Sequence, residues 1–238
     1  MFFTLSLALL LQSAQPPLNP VVEAEEVVYR YTPADNGSGP LWCFGSTCLV
    51  RSGERVFASG LETLKECPPL NNCRWQLFSR DSAGWQLAAE DPKDRTREPC
   101  PLGWSHDGRL FLSANPTLVA DHTKRGGGPA RPEILEFSGT DPKTPPRTIL
   151  PEWGDSPAFT EHSYRSFAAD GPAGELILFQ NVGYTHSEWI LRDRGGRWPA
   201  RGKLVWPPYE DPSLEPYGAT HVRVNYSNVV LHNREVHF

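Results

Sequence analysis

No stretch of the chain places apolar residues at i, i+3, i+4 and i+7 over the length of a helix, which leaves an all-α fold nothing to build on. No run of about 18–20 apolar residues occurs either, so no helical membrane span is expected once the leader described below is removed. Runs of Lys and Arg are missing, and the net charge is -5. That balance disfavours nucleic acid and anionic membrane surfaces as partners. The five cysteines include no C-x-x-C pair, and no histidine stands at ligand spacing beside them, which argues against zinc. The Gly-rich "KRGGGP" (124–129) lacks the Lys-Ser/Thr and following helix of a phosphate loop. Nothing in the residues implies a metal or a cofactor.

What the chain does have is turns. Its 20 glycines and 24 prolines separate short runs rich in β-branched, aromatic and other apolar residues, which predicts an all-β fold. The first residues differ: an apolar run from Phe2 to Leu11 leads into small and polar residues and then prolines. Its length is that of a signal-peptide core rather than a membrane span, although no Lys or Arg precedes it. We therefore expect a signal peptide over 1–14, an irregular segment over 15–40, and a secreted, periplasmic or extracellular product. A buried N-terminal strand is the alternative.

The cysteines suit that compartment. Cys67 and Cys73 bracket "CPPLNNC", a Pro/Asn loop that a disulfide would close, the alternative being a set of buried free thiols. "NGS" (36–38) and "NYS" (225–227) match the N-glycosylation pattern. Trp42 and Trp75 are candidates for stacking on sugars, or for the core.

From residue 41 to 238 the chain repeats itself. "GERVFASG" (53–60), "DGRLFLSA" (107–114), "AGELILFQ" (173–180) and "NREVHF" (233–238) each set a turn and a charged residue before an apolar strand, at a period of about sixty residues. Between them fall "CRWQLFSRDSAGW" (73–85), "PEILEFSGTD" (132–141) and "SEWILRDRGGRW" (187–198), strands that run into an Asp or Gly turn. Two hairpins per unit make a four-stranded antiparallel sheet, the blade of a β-propeller. Four inner hairpins but three outer ones predict about three and a half blades, either part of a longer ring or an incomplete propeller with exposed edges.

"DRGGRW" (193–198) fits the D-x-G-x-x-W portion of the Asp-box, and "SRDSAGW" (79–85) is a copy one residue short between Asp and Trp. On these motifs and their register, the chain resembles the secreted BNR-repeat, sialidase-like β-propellers. The resemblance implies that each box forms the turn between the third and fourth strands of a blade, with a structural role for Asp193, Gly195, Trp198, Asp81 and Trp85. It also implies a carbohydrate or another small acidic molecule as ligand, on the face away from the boxes. The family's F/Y-R-I-P motif is missing here: "WCFGSTCLVRSGERVF" has no arginine between Trp42 and Thr47.

The repeat assigns loops to that opposite face: those leading into successive units (94–99, 159–165, 217–223) and those joining the two hairpins of one unit (61–74, 115–130, 181–189). Arg97, Arg165 and Arg223 each lie near the start of a different unit, and guanidinium forks converging there would bind a carboxylate bidentately. Tyr184 and Glu62 are further substrate-binding candidates. His162, Tyr164 and His186 are the catalytic candidates, since a His or Tyr beside an arginine-bound uronate would take its C5 proton. Three readings follow: an enzyme of glycoside hydrolase or polysaccharide lyase type, a glycan- or protein-binding propeller, and a scaffold whose arginines pair with neighbours such as Glu98 and Glu161.

Overall fold

The computed structural model describes residues 19–40, 42, 46–160, 164–183, 186–205 and 228–237. Residues 1–14, expected as a signal peptide, and His162, Tyr184 and Arg223 lie outside the described residues. Among those described there is no helix, and none therefore long and apolar enough to cross a membrane.

Among the described residues fourteen strands form three open four-stranded sheets and one hairpin, all antiparallel. The first sheet holds β1 (Leu49–Ser52), β2 (Arg55–Thr63), β3 (Cys73–Asp81) and β4 (Gly84–Glu90). The second holds β5 (Leu102–Trp104), β6 (Arg109–Ala114), β7 (Glu133–Ser138) and β8 (Arg147–Ile149). The third holds β9 (Arg165–Asp170), β10 (Glu175–Val182), β11 (His186–Arg192) and β12 (Ala200–Leu204), and the hairpin β13 (Val230–His232) and β14 (Glu235–His237). Strands pair in chain order within each sheet. The four repeated segments are the second strands β2, β6, β10 and β14, and the two turns expected as Asp-boxes, 193–198 and 81–85, join third to fourth strands. The all-β class and the unit of two successive hairpins are thus present.

Alternation along the second strands decides how the sheets meet, because successive side chains leave a strand on opposite faces. In β6, Leu110 and Leu112 join Phe57, Trp75 and Leu77 of the first sheet in one core, while Phe111 joins Phe167, Leu176, Leu178 and Ile190 of the third in another. In β10, Leu176 and Leu178 face the second sheet, while Ile177 and Phe179 pack on Val229 and Leu231 at the hairpin. A sheet sandwiched on both faces needs apolar residues at consecutive positions, and "RLFLSA" and "ELILFQNV" supply them. The sheets therefore stack face to face in chain order.

The first strands of neighbouring sheets touch as well: β5 lies against both β1 and β9, and β9 against β13. Backbone bonds stitch this line, Leu102 N–H donating to the Thr47 carbonyl (2.8 Å) and His106 N–H to the Gly171 carbonyl (3.0 Å). Gly103 makes the approach possible. A Cβ there would stand 2.8 Å from Phe167 Cε1 and 2.9 Å from Ala169 Cβ.

Residues 19–40 cross the outer face of the first sheet as an irregular strap. Tyr29 stacks on Phe78 with ring centroids 5.0 Å apart, and Glu26 pairs with Arg80. Asn36 fixes the strap's end. It is 1% exposed, and its Nδ2 donates to the Arg97 carbonyl at 3.0 Å, so its amide is not presented as a glycosylation acceptor.

The expected Cys67–Cys73 bridge is not formed; both are free thiols. Cys73 instead turns into a small core with Ala34 and Leu61, where its sulfur accepts from Asn36 Nδ2 at 3.6 Å and burial pushes the thiol up to about 11. Trp75 is a core residue, 4% exposed; Trp42 is 38% exposed.

Candidate functional site

In every four-stranded meander the β2–β3-type loop and the segment leading to the next sheet leave from the same end, opposite the Asp-box turns. At that loop end, between the second and third sheets, the apolar core gives way to a buried polar layer. Arg165 pairs in register with Gln180, Gln180 with Glu188, and Glu188 with Lys203, so one row of polar side chains crosses the third sheet. The row shares a face with Leu176 and Leu178, and so points at the second sheet. From there Asn115 Nδ2 reaches Gln180 Oε1 at 3.4 Å. Arg165, Asn115 and Gln180 are all at most 2% exposed.

Arg165 is held by its Nη2, which donates to the Pro99 carbonyl at 2.7 Å and to Cys100 Sγ at 3.3 Å. Burial pushes the Cys100 thiol up to about 12 although the guanidinium pulls it down, so this sulfur is no nucleophile at neutral pH. Tyr164 precedes Arg165 with φ of +60°, a left-handed conformation that is uncommon for residues other than glycine. Its backbone is clamped from both sides: its N–H donates to Glu98 Oε2 (3.4 Å), and its carbonyl accepts from Asn181 N–H (3.1 Å). The clamp turns Arg165 into the core.

The candidates separate accordingly. Tyr164, Arg165 and His186 all lie at the loop end of the third sheet, the first two leading into β9 and the last opening β11, with β10 between them. His186 and Glu188 are two apart on one strand face, and His186 Nε2 lies 3.0 Å from Glu188 Oε1, which Lys203 Nζ also approaches at 3.3 Å. Arg97 is turned away toward the strap, its Nε donating to the Asn36 carbonyl at 3.0 Å. Glu62 belongs to the first sheet, paired with Arg74, which also reaches Glu90 at 3.2 Å. At the opposite end Asp193 Oδ1 accepts Arg197 N–H and Oδ2 its Nε, both at 2.9 Å, and these bonds hold the carboxyl below its usual range. Gly195 lies within that turn, and Trp198 packs against the core between the second and third sheets. In the shorter box Asp81 Oδ1 accepts Ala83 N–H at 2.8 Å, and Trp85 begins the return in β4.

Between the β6–β7 loop and the β8–β9 connection lies an open cleft of about 530 Å³ that no single motif announces. Its walls are Leu118, Pro129 and Arg131 from the β6–β7 loop and Trp153, Phe159 and Thr160 from the β8–β9 connection. Trp153 and Phe159 meet edge to face with centroids 5.1 Å apart. Arg131 Nη2 bonds Glu133 at 2.9 Å, yet its side chain keeps 48% of its surface in solvent. The connection that walls the cleft thus also leads to Tyr164 and Arg165.

A further hollow of about 440 Å³ between the first and second sheets holds Asp91 and Glu133. Burial raises both carboxyls, with Arg131 opposing the rise at Glu133. Asp91 caps a turn, accepting Lys93 N–H (3.1 Å) and Asp94 N–H (2.9 Å). Among the described residues no group of three or more His, Cys, Asp or Glu is arranged to hold a metal.

No protein-family model matches the chain, and no curated protein matches it significantly.

Proposed function

We propose that this chain is an exported BNR-type β-propeller, about three and a half blades of it, that binds an acidic carbohydrate at its loop end. Support for the propeller comes from meander sheets stacked in chain order, with first strands in mutual contact and Asp-box turns at the far end. Support for export comes from the apolar leader.

The observation that carries the ligand is the cleft itself. It joins an aromatic pair, Trp153 and Phe159, to one half-exposed guanidinium, Arg131. A sugar ring has an apolar face for aromatics and hydroxyls for polar neighbours, and a uronic or sialic carboxylate suits the arginine fork. Arg165 has the right chemistry too, and its Nε and Nη1 have no hydrogen-bond partner among the described residues, but at 2% exposed it is closed off from a solute. Its place is to hold the connection that forms the cleft.

Titration of the protein with glucuronic acid and with N-acetylneuraminic acid, followed by ligand-observed NMR, tests the reading. Trp153→Ala is expected to weaken binding at least tenfold, about 1.4 kcal/mol. Arg131→Ala should lose the acidic sugars while leaving the binding of their neutral counterparts unchanged. No binding to wild type, or equal binding by a folded Trp153→Ala, overturns it.

The second reading, cleavage of an acidic glycan, is favoured by the His186–Glu188 contact, in which a carboxylate orients an imidazole for proton transfer. It differs from simple binding in requiring turnover.

A further inference from the structure

The Asp-box end of the junction between the second and third sheets carries its own charge cluster, independent of the sugar reading. Arg109 in β6 and Glu136 in β7 share a face with Phe111 and Ile134, which pack toward the third sheet. Arg147 in β8 is the register partner of Glu136 and joins that face. Arg192 at the end of β11 shares a face with Ile190 and comes from the other side. Three guanidiniums therefore surround one glutamate.

The glutamate cannot satisfy all three. Glu136 Oε2 lies 2.9 Å from Arg147 Nη2 and 3.7 Å from Arg109 Nη1, and Arg109 is also gripped by Asp107 at 2.7 Å. Arg192 is left over. It is 4% exposed, and among the described residues its Nε and Nη1 have no hydrogen-bond partner. Burial, together with the like charges of Arg147 and Arg109, depresses its pKa against the pull of Glu136 and Asp193. A buried guanidinium with two unmet donors is costly, so an anion that completes it at Arg192 would stabilise the protein. A neutral water would meet the hydrogen bonds but not the excess positive charge.

We propose that Arg192, Arg147 and Arg109 form a binding site for a tetrahedral oxyanion, phosphate or sulfate, at the Asp-box end of this junction. Arg192 supplies the buried fork. Arg147, whose side chain is 62% exposed, supplies the donor at the mouth, and the ion approaches along it. Arg109, held against the Phe111 ring at 5.4 Å, contributes charge from below. The anion has a structural consequence, since it compensates the one buried guanidinium, Arg192, that the pairs of Arg109 with Asp107 and Arg147 with Glu136 leave over.

Calorimetric titration of the full chain with inorganic phosphate and with sulfate, at constant ionic strength set by chloride, tests the site. Saturable binding is expected, together with a raised thermal midpoint. Arg147→Ala, a change at the solvent edge, should weaken binding at least tenfold. Arg192→Met should abolish it while folding normally, because it removes an unpaired buried charge. Glucose 6-phosphate distinguishes the source: tighter binding than inorganic phosphate assigns the group to a larger phosphorylated molecule, and equal or weaker binding assigns it to the free ion. No saturable binding of any of these probes by wild type overturns the proposal. So does Arg147→Ala binding as tightly as wild type, a result that can be read even if Arg192→Met fails to fold.

Discussion

Replacing Phe111 with alanine is expected to lower the unfolding free energy by about 3–5 kcal/mol, the range for deleting a fully buried aromatic ring. Phe111 is 0% exposed, and it comes from the middle of β6 in the core shared with Phe167, Leu176, Leu178 and Ile190. The ring is the point where the second sheet is fastened to the third, so the cavity left behind cannot close without moving one sheet against the other. Arg109 would also lose the ring over which its guanidinium sits. Urea denaturation monitored by tryptophan fluorescence reads the loss as a lower midpoint. Leu87→Ala serves as control: that side chain is 45% exposed, and its loss should cost no more than about 0.5 kcal/mol. A Phe111→Ala protein less than about 1 kcal/mol below wild type would mean that the second and third sheets do not share this core.

The second large effect is expected at Gly103, where the loss comes from adding atoms. Gly103→Val should destabilise by about 1–3 kcal/mol or more, because the space a Cβ needs is already filled by Phe167 and Ala169. Neither neighbour is free to yield: Phe167 is 1% exposed, and Ala169 is part of β9. The backbone of Gly103 is not in the left-handed region, so steric crowding between first strands is the whole effect. Gly39→Ala, with nothing within 4 Å of the added carbon, should be close to neutral in the same denaturation series. Equal stability of Gly103→Val and wild type would contradict the contact between β5 and β9.

Strands β6 and β10 were legible because each is covered on both faces and so reads as an apolar run after a turn, as in "AGELILFQ". Turn chemistry located the third-to-fourth connections in the same way, through Asp193 and Asp81. The short first strands were harder. Leu102–Trp104 in β5 has three residues, and its strand character comes from neighbours on both sides rather than from its own pattern. The loop-end site was legible in residue type and only partly in role. Arg165 was expected to face a ligand, yet it is buried against Pro99, a partner 66 residues away that no local pattern reveals. Arg97 likewise found a carbonyl in the strap, and Glu62 an arginine across its own hairpin. Gln180, Asn181 and Glu188 escaped notice because they sit in strands, although two amides ending an apolar run signal a polar layer. Trp153 and Phe159 lie in a proline-rich connection with no periodicity, and only the folded loops bring them together at Arg131.

The loop-end cleft is most directly tested by amide and indole chemical shifts of the isotopically labelled protein during titration with glucuronic acid. Saturable shifts are expected at the Trp153 indole and at Arg131, Phe159 and Thr160, with the Asp193–Trp198 turn unmoved. Shifts confined to that turn, or none at any concentration, would contradict carbohydrate binding at the loop end.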